Sequence, residues 1–227
     1  MHPLRNLLLL FTLAVLAAPA LALREVTPDG RPVIEVPLPA DLADLYADLP
    51  FGRTDDGYPY LGDPAAPVVI HDFASYSCPS CLSFYQNVFL ALLEDIRAGQ
   101  VQFIYVPVNT GSIPNGEAAN RAALCAAEQE RFWVYSSALY HWHDTYANSA
   151  FEPERLAQGA TLLGLAPADW QACLDSTRPD DVLQSARQLM EHAGIQGTPS
   201  ILVNLEPVMP TLEAIREQID RLRRNRT

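Results

Sequence analysis

The chain has 227 residues, with 27 acidic against 15 basic side chains and a net charge of −12. An acidic balance of that size argues against nucleic acid or an anionic membrane as partner and serves solubility instead. The length suits one domain with a good core, or one domain carrying a large insertion.

The first 22 residues have the three-part pattern of a secretory signal peptide. Arg5 supplies the early cation, Leu7 to Ala18 is almost wholly apolar, and Ala20-Leu21-Ala22 provides the small residues of a cleavage site after Ala22. The apolar run is shorter than the ~20 residues of a spanning helix; left uncleaved, it would act as a membrane tether. Either way the globular part is expected in the periplasm or another extracytoplasmic compartment. Residues 23–60 are rich in Pro, Asp and Gly and read as an N-terminal arm, with a short helix over 41–49 spaced by Leu42, Leu45 and Leu49. Gly62 to Pro67 is a turn-rich boundary at the head of the compact domain, 61–227, whose first element is expected just after it.

Val68 to Ala74 reads as a buried strand. Residues 81–97 have helical spacing at Phe84, Val88, Leu92 and Ile96, with Gly99 as the stop. Val101 to Val106 is a second strand, so strand, helix and strand form a parallel βαβ unit. From about 112 to 195 the pattern is all helical, with helices near 116–130, 131–146, 153–164, 167–176 and 179–193. Strand character returns at Ser200 to Asn204. A last amphipathic helix runs from about Thr211 to Arg223, with Leu212, Ile215, Ile219 and Leu222 on one face. The arginines at 221, 223, 224 and 226 suit the dipole at its C-terminal end. The fold class is therefore α/β, interrupted by an all-helical insertion.

Cys78-Pro79-Ser80-Cys81 sits between the first strand and the helix. A thiol at a helix N-terminus is stabilised as thiolate by unpaired N–H groups and the dipole, which lowers its pKa from about 8.5 into the range of roughly 3.5–7.5. Cys78 is thus the attacking or leaving thiolate, Cys81 the resolving partner one turn inside, and Pro79 an early helical residue that needs no N–H. The competing readings are a structural disulfide and half of a zinc site. The latter needs four ligands, and Cys125 and Cys173 stand alone without neighbouring His. Asp72 lies in the apolar strand six residues before Cys78. Burial of a carboxylate there is costly without a role, so Asp72 is either an acid exchanging protons with Cys81 or a strand-end residue reaching solvent. Gly197-Thr198-Pro199 precedes the later strand, and Pro199 is either an ordinary strand-start residue or a cis proline. His141 and His143 point apart at helical spacing, so no metal is assigned to them. His71 should face the other side of the sheet from Asp72.

Taken together, Asp72, Cys78-Pro79-Ser80-Cys81, the helical insertion and Gly197-Thr198-Pro199 resemble the DsbA-like branch of the thioredoxin superfamily. The likeness covers residues 60–223, including Tyr60 to Val68 and, in the insertion, Ala122 to Gln129 with Phe132-Trp133. The resemblance implies a thioredoxin-like fold, a cis Pro199 against the cysteine pair, and a Thr198 backbone that pairs with an extended substrate peptide, with Pro79 and Ser80 beside it. It places Asp72 at the family's buried-acid position. Leu205 departs from the family, where many relatives have Gly in the final hairpin. Some relatives carry a bridge in the helical region, which points to a structural disulfide between Cys125 and Cys173. Both are on predicted helices with an inward face, and the alternative is two buried thiols acting as small apolar side chains.

The function expected is oxidation of paired thiols in exported cysteine-containing proteins, with a membrane redox partner for recycling, no added cofactor and a monomeric chain. A reductase or isomerase of the same fold is the nearest alternative. Isomerases of the superfamily resemble dimers with a separate N-terminal domain, for which 23–60 is short. Rivals of other classes are a copper carrier using the two thiols and a redox-inert peptide-binding chaperone. Metal content and an insulin-reduction assay separate them.

Overall fold

The computed structural model describes residues 36–225 apart from Ala40 and Ala43. The expected signal peptide, the arm as far as residue 35 and Arg226 lie outside the described residues. The strands are β1 (Phe51–Arg53), β2 (Pro59–Leu61), β3 (Val68–Ala74), β4 (Val101–Pro107), β5 (Ser200–Val203) and β6 (Glu206–Val208). They form one sheet in the order β1-β2-β4-β3-β5-β6. β3 runs parallel to β4, with Val68 opposite Val101 and Asp72 opposite Tyr105, and antiparallel to β5. A strand paired on both sides and covered on both faces reads as a continuous apolar run, which is why Val-Val-Ile and Phe-Ala flank His71 and Asp72.

The sheet starts earlier than the turn-rich boundary suggested. Phe51–Arg53 and Pro59–Leu61 form a hairpin, and β2 pairs with β4 through Tyr60 and Leu61. Leu42, Tyr46 and Leu49 also enter the core, and the Trp133 indole donates to the Tyr60 carbonyl at 3.0 Å. Three-residue strands are too short to show an alternating pattern, and their Pro and Gly neighbours mask them. Gly62 ends β2 with φ +100°, and a Cβ there would run into the Val101 carbonyl oxygen.

The expected helix over 81–97 starts at Pro79 and is not uniform. It consists of α1 (Pro79–Phe84), a π-helical turn over Tyr85–Phe89, and α2 (Leu90–Arg97). Between β4 and β5 stand α3 (Gly116–Ala127), α4 (Phe132–Tyr146), α5 (Pro153–Leu162), α6 (Pro167–Leu174) and α7 (Arg178–His192). α4 is the hub: Tyr135, Leu139 and Trp142 are completely buried, each side chain contributing roughly 1.5–3 kcal/mol by burial. α4 packs with α1 and the β3–β4 core on one face of the sheet, while Ala186 of α7 covers Phe73, Ile104 and Leu202 on the other. α8 (Leu212–Arg224) closes the chain, capped by Thr211, whose hydroxyl accepts from the Ala214 N–H at 3.3 Å.

The β5–β6 hairpin turns through Asn204 and Leu205, with φ values of 47° and 68°. Two left-handed residues in a two-residue loop match the twist of the strands they join. Asn204 also extends pairing to β3, its Oδ1 accepting from the Val69 N–H at 2.7 Å. Leu205 is exposed, a bulky residue in a backbone conformation that favours Gly.

Candidate active site

Cys78 is the N-cap of α1, in extended conformation, and Pro79 follows as the first helical residue. Pro79 and Ser80 are exposed beside it, and Cys78 itself retains 7% exposure against 1% for Cys81. Both carry free thiols. Four donors converge on Cys78 Sγ: chiefly the Cys81 thiol, opposed by desolvation, then Thr198 and the backbone N–H groups of Cys81 and Ser80. They push the Cys78 pKa down to about 5. Burial, the Cys78 sulfur and the Asp72 carboxyl together push the Cys81 thiol far above the ordinary range. Two cysteines three positions apart therefore ionise in opposite senses, one held as thiolate and the other as thiol.

Thr198 and Pro199 are joined by a cis peptide bond. The Thr198 carbonyl oxygen lies 3.4 Å from Cys78 Sγ, which brings the loop before β5 against the helix N-terminus although 120 residues separate them. Beside it opens a groove of about 350 Å³, lined by Asn109, Thr110, Arg187, Gln196, Gly197 and Thr198.

Asp72 shares the Ile70 and Ala74 face of β3. It is only 4% exposed, and its Oδ1 has no hydrogen-bond partner. Burial, reinforced by the Cys78 charge, raises its pKa well above the usual carboxylate value. His71 projects from the opposite face, half-buried, and burial lowers its pKa. Cys125 of α3 and Cys173 of α6 are bonded to each other, with Cα atoms 5.6 Å apart. Among the described residues, no three His, Cys, Asp or Glu side chains are grouped as a metal ion would require.

Sequence reasoning missed the loop that carries Cys78. Ser75, Tyr76 and Ser77 are fully buried. Ser75 and Ser77 hydroxyls lie 3.0 Å apart, and Ser77 reaches Thr110 at 2.9 Å. Gly116 packs so closely on Ser77 that a Cβ would come within 2.7 Å of it. The Tyr76 hydroxyl donates to Ser136 at 3.0 Å, and His143 Nδ1 donates to the Tyr76 carbonyl at 2.7 Å. That carbonyl can only accept, so the His143 proton is on Nδ1. His143 thus anchors the loop two residues before Cys78. The polar triplet before the cysteines was the available signal, but its partners are on remote helices.

The profile of the thioredoxin family matches residues 54–221. Disulfide bond formation protein D of Bacillus subtilis (strain 168) is 28% identical over 155 residues, covering 65% of this chain and 68% of that protein. The solved structure of oxidised BdbD from Bacillus subtilis matches with a TM-score of 0.65 and 25% identity over 77% of this chain and 98% of that one. DsbA of Chlamydia trachomatis matches with a TM-score of 0.61 and 26% identity, covering 74% and 90% respectively. The chain belongs to the thioredoxin family and is a DsbA-like oxidoreductase within it.

Proposed function

We propose that the protein oxidises paired thiols of exported, cysteine-containing proteins. The supporting observation is the opposed ionisation of Cys78 and Cys81 at the head of α1. In the oxidised protein, a substrate thiolate attacks Cys78 Sγ and the Cys78–Cys81 bond breaks. Cys81 leaves as a thiolate and takes a proton from Asp72, whose burial shifts its carboxyl towards the protonated form. The second substrate thiolate then attacks the substrate sulfur of the mixed disulfide, and Cys78 departs as a stable thiolate. Two substrate thiols are oxidised and one enzyme disulfide is reduced. The Thr198 backbone aligns the extended substrate chain over Cys78, with Pro199, Pro79 and Ser80 framing it.

A low pKa at Cys78 stabilises the dithiol form and so makes the disulfide a stronger oxidant. With Cys78 at about 5, two decades of ionisation at pH 7 are worth about 60 mV relative to an unperturbed thiol. The protein works outside the cytoplasm as a monomer, exported through residues 1–22, and a membrane redox partner reoxidises it. The likeness to disulfide bond formation protein D and to BdbD supports this direction of electron flow.

The test is the reduction potential of the Cys78–Cys81 pair in a glutathione buffer. A value near −120 mV is expected, and one near −270 mV would make the protein a reductase. Cell fractionation with N-terminal sequencing of the mature protein tests export and cleavage after Ala22.

A further inference from the structure

A client peptide aligned by the Thr198 backbone, as proposed above, lies beside the groove of about 350 Å³ that opens there. The groove begins at the reactive sulfur. The Thr198 carbonyl oxygen is 3.4 Å from Cys78 Sγ, and Thr110, on the wall that follows β4, shares a 2.9 Å hydrogen bond with the Ser77 hydroxyl. Its apolar lining residues, Pro107, Val108, Leu183 and Met190, are buried or half-buried, whereas Thr110, Arg187 and Gln196 are exposed. The groove therefore has an apolar bottom and a polar rim.

The rim offers donors and no acid. No Asp or Glu lines the groove, in a chain with 27 acidic against 15 basic side chains. Arg97, Arg121, Arg178, Arg216, Arg221 and Arg223 each pair with an Asp or Glu. Arg187 has no ion pair and no hydrogen bond among the described residues. It stays unpaired although Glu191 stands one turn further along α7, a spacing at which such pairs form. Asn109 is held by its carbonyl end: Asn120 Nδ2 donates to Asn109 Oδ1 at 2.6 Å, which leaves the Asn109 NH2 as a donor. A guanidinium and an amide NH2 above an apolar bottom are complementary to a carboxylate on a short aliphatic stem.

We propose that Arg187, assisted by Asn109, is a specificity-determining residue that selects clients with a Glu or Asp within two residues of the attacking cysteine. An extended peptide turns successive side chains to opposite sides, so with the client sulfur on Cys78 a neighbouring side chain, not the cysteine, enters the groove. The Arg187 charge acts at the range of this contact. The net charge of −12 is screened beyond about 8 Å at physiological ionic strength, so the rim and not the overall charge decides the preference. The inference rests on the client-oxidising reading and adds to it the class of client. Arg187 acts on recognition and leaves the sulfur exchange steps as they are.

The test uses the full chain, glutathione disulfide to reoxidise it, and dithiol peptides that differ at one position. Glu, Gln or Lys is placed in turn at the first and second residue on either side of the attacking cysteine. kcat and KM are compared for the unaltered protein, Arg187→Gln, Arg187→Glu and Asn109→Asp. At one of these positions the unaltered protein should favour Glu over Gln about fivefold in kcat/KM, the upper end for an exposed charge pair, through KM, and should disfavour Lys. The preference should vanish in Arg187→Gln and turn to Lys in Arg187→Glu. Asn109→Asp keeps an acceptor for Asn120 and puts a carboxylate on the rim, so it too should lose the preference for Glu. A peptide's charge also alters its own thiol, but that effect is common to all four proteins and cancels between them. At about 1 M salt, where the screening length falls to about 3 Å, the preference of the unaltered protein should shrink; an undiminished one contradicts the pairing without any variant. An equal Glu-to-Lys ratio in all four proteins at every position would overturn the subsite while leaving client oxidation intact. If the unaltered protein oxidises none of the peptides, the client-oxidising reading fails, and the subsite with it.

Discussion

The two cysteine pairs share one protein and have opposite surroundings. Cys78 and Cys81 sit at the start of α1, where backbone N–H groups, the Thr198 side chain and a buried acid act on the sulfurs. Cys125 and Cys173 tie α3 to α6 within the core, beside Trp170, whose indole donates to the Ala122 carbonyl at 3.1 Å. In the first pair Cys78 keeps 7% exposure and is electrically poised; the second pair is bonded and at most 1% exposed. Cysteine chemistry here is set by the helix end and the neighbouring charges, and a thiol between two packed helices serves as a staple.

The largest effect should come from removing the poised thiolate. Cys78→Ser is expected to bring exchange down to background. Cys81→Ser cannot form the Cys78–Cys81 bond and should lose catalytic oxidation too, while its Cys78 thiolate attacks client disulfides and accumulates mixed disulfides, visible as mass adducts, because no Cys81 thiol is there to release it. Normal turnover by Cys81→Ser would break the division of labour. At the other pair, Cys125→Ala/Cys173→Ala should cost roughly 4 kcal/mol of stability in denaturant melts, from the loop that the bridge closes. Its exchange rate should stay unchanged. Thiol counting after mild reduction and denaturation should find two thiols, mapped to Cys78 and Cys81; four would make the second pair as labile as the first.

Asp72→Asn sharpens the contrast from the acid's side. Exchange should slow by about 100-fold, the low end of a general acid–base contribution, while the fold gains stability. The Asp72 pKa is raised in the folded state, so its contribution to stability is full below the unfolded value of about 3.9 and is lost as pH rises towards the folded value. The Asn variant should therefore melt higher than the unaltered protein at pH 7, with the gap closing below about pH 4. Equal melting points at pH 7 would place the carboxylate in contact with water. The smallest effect is expected far from both pairs. Leu205→Gly should stabilise the protein by about 1 kcal/mol by relieving a left-handed leucine, with no change in exchange rate.

What the sequence disclosed follows the range of the interactions involved. β3, β4 and the helical block were legible because apolar period and capping residues act within one element. The placing of Cys78 and Cys81 at a helix start was legible because Pro79 marks that start locally. The β1–β2 hairpin was hidden because six residues of strand leave too little pattern, and its stability comes from pairing with Ile104 and Phe103. His143 carries no local mark of its role. Its partner, the Tyr76 carbonyl, lies 67 residues away in the chain. The π-helical turn at Tyr85 left no mark in the i, i+4 spacing.

The poised state of Cys78 is the claim on which the rest depends, and it can be titrated directly. The rate of alkylation of Cys78, or thiolate absorbance in the reduced protein, is followed from pH 3 to 10, with Cys78→Ser as the blank. The account predicts a single midpoint near pH 5, with the reduced form losing its relative stability as pH falls through that value. A midpoint near 8.5, the value of an unperturbed thiol, would contradict it.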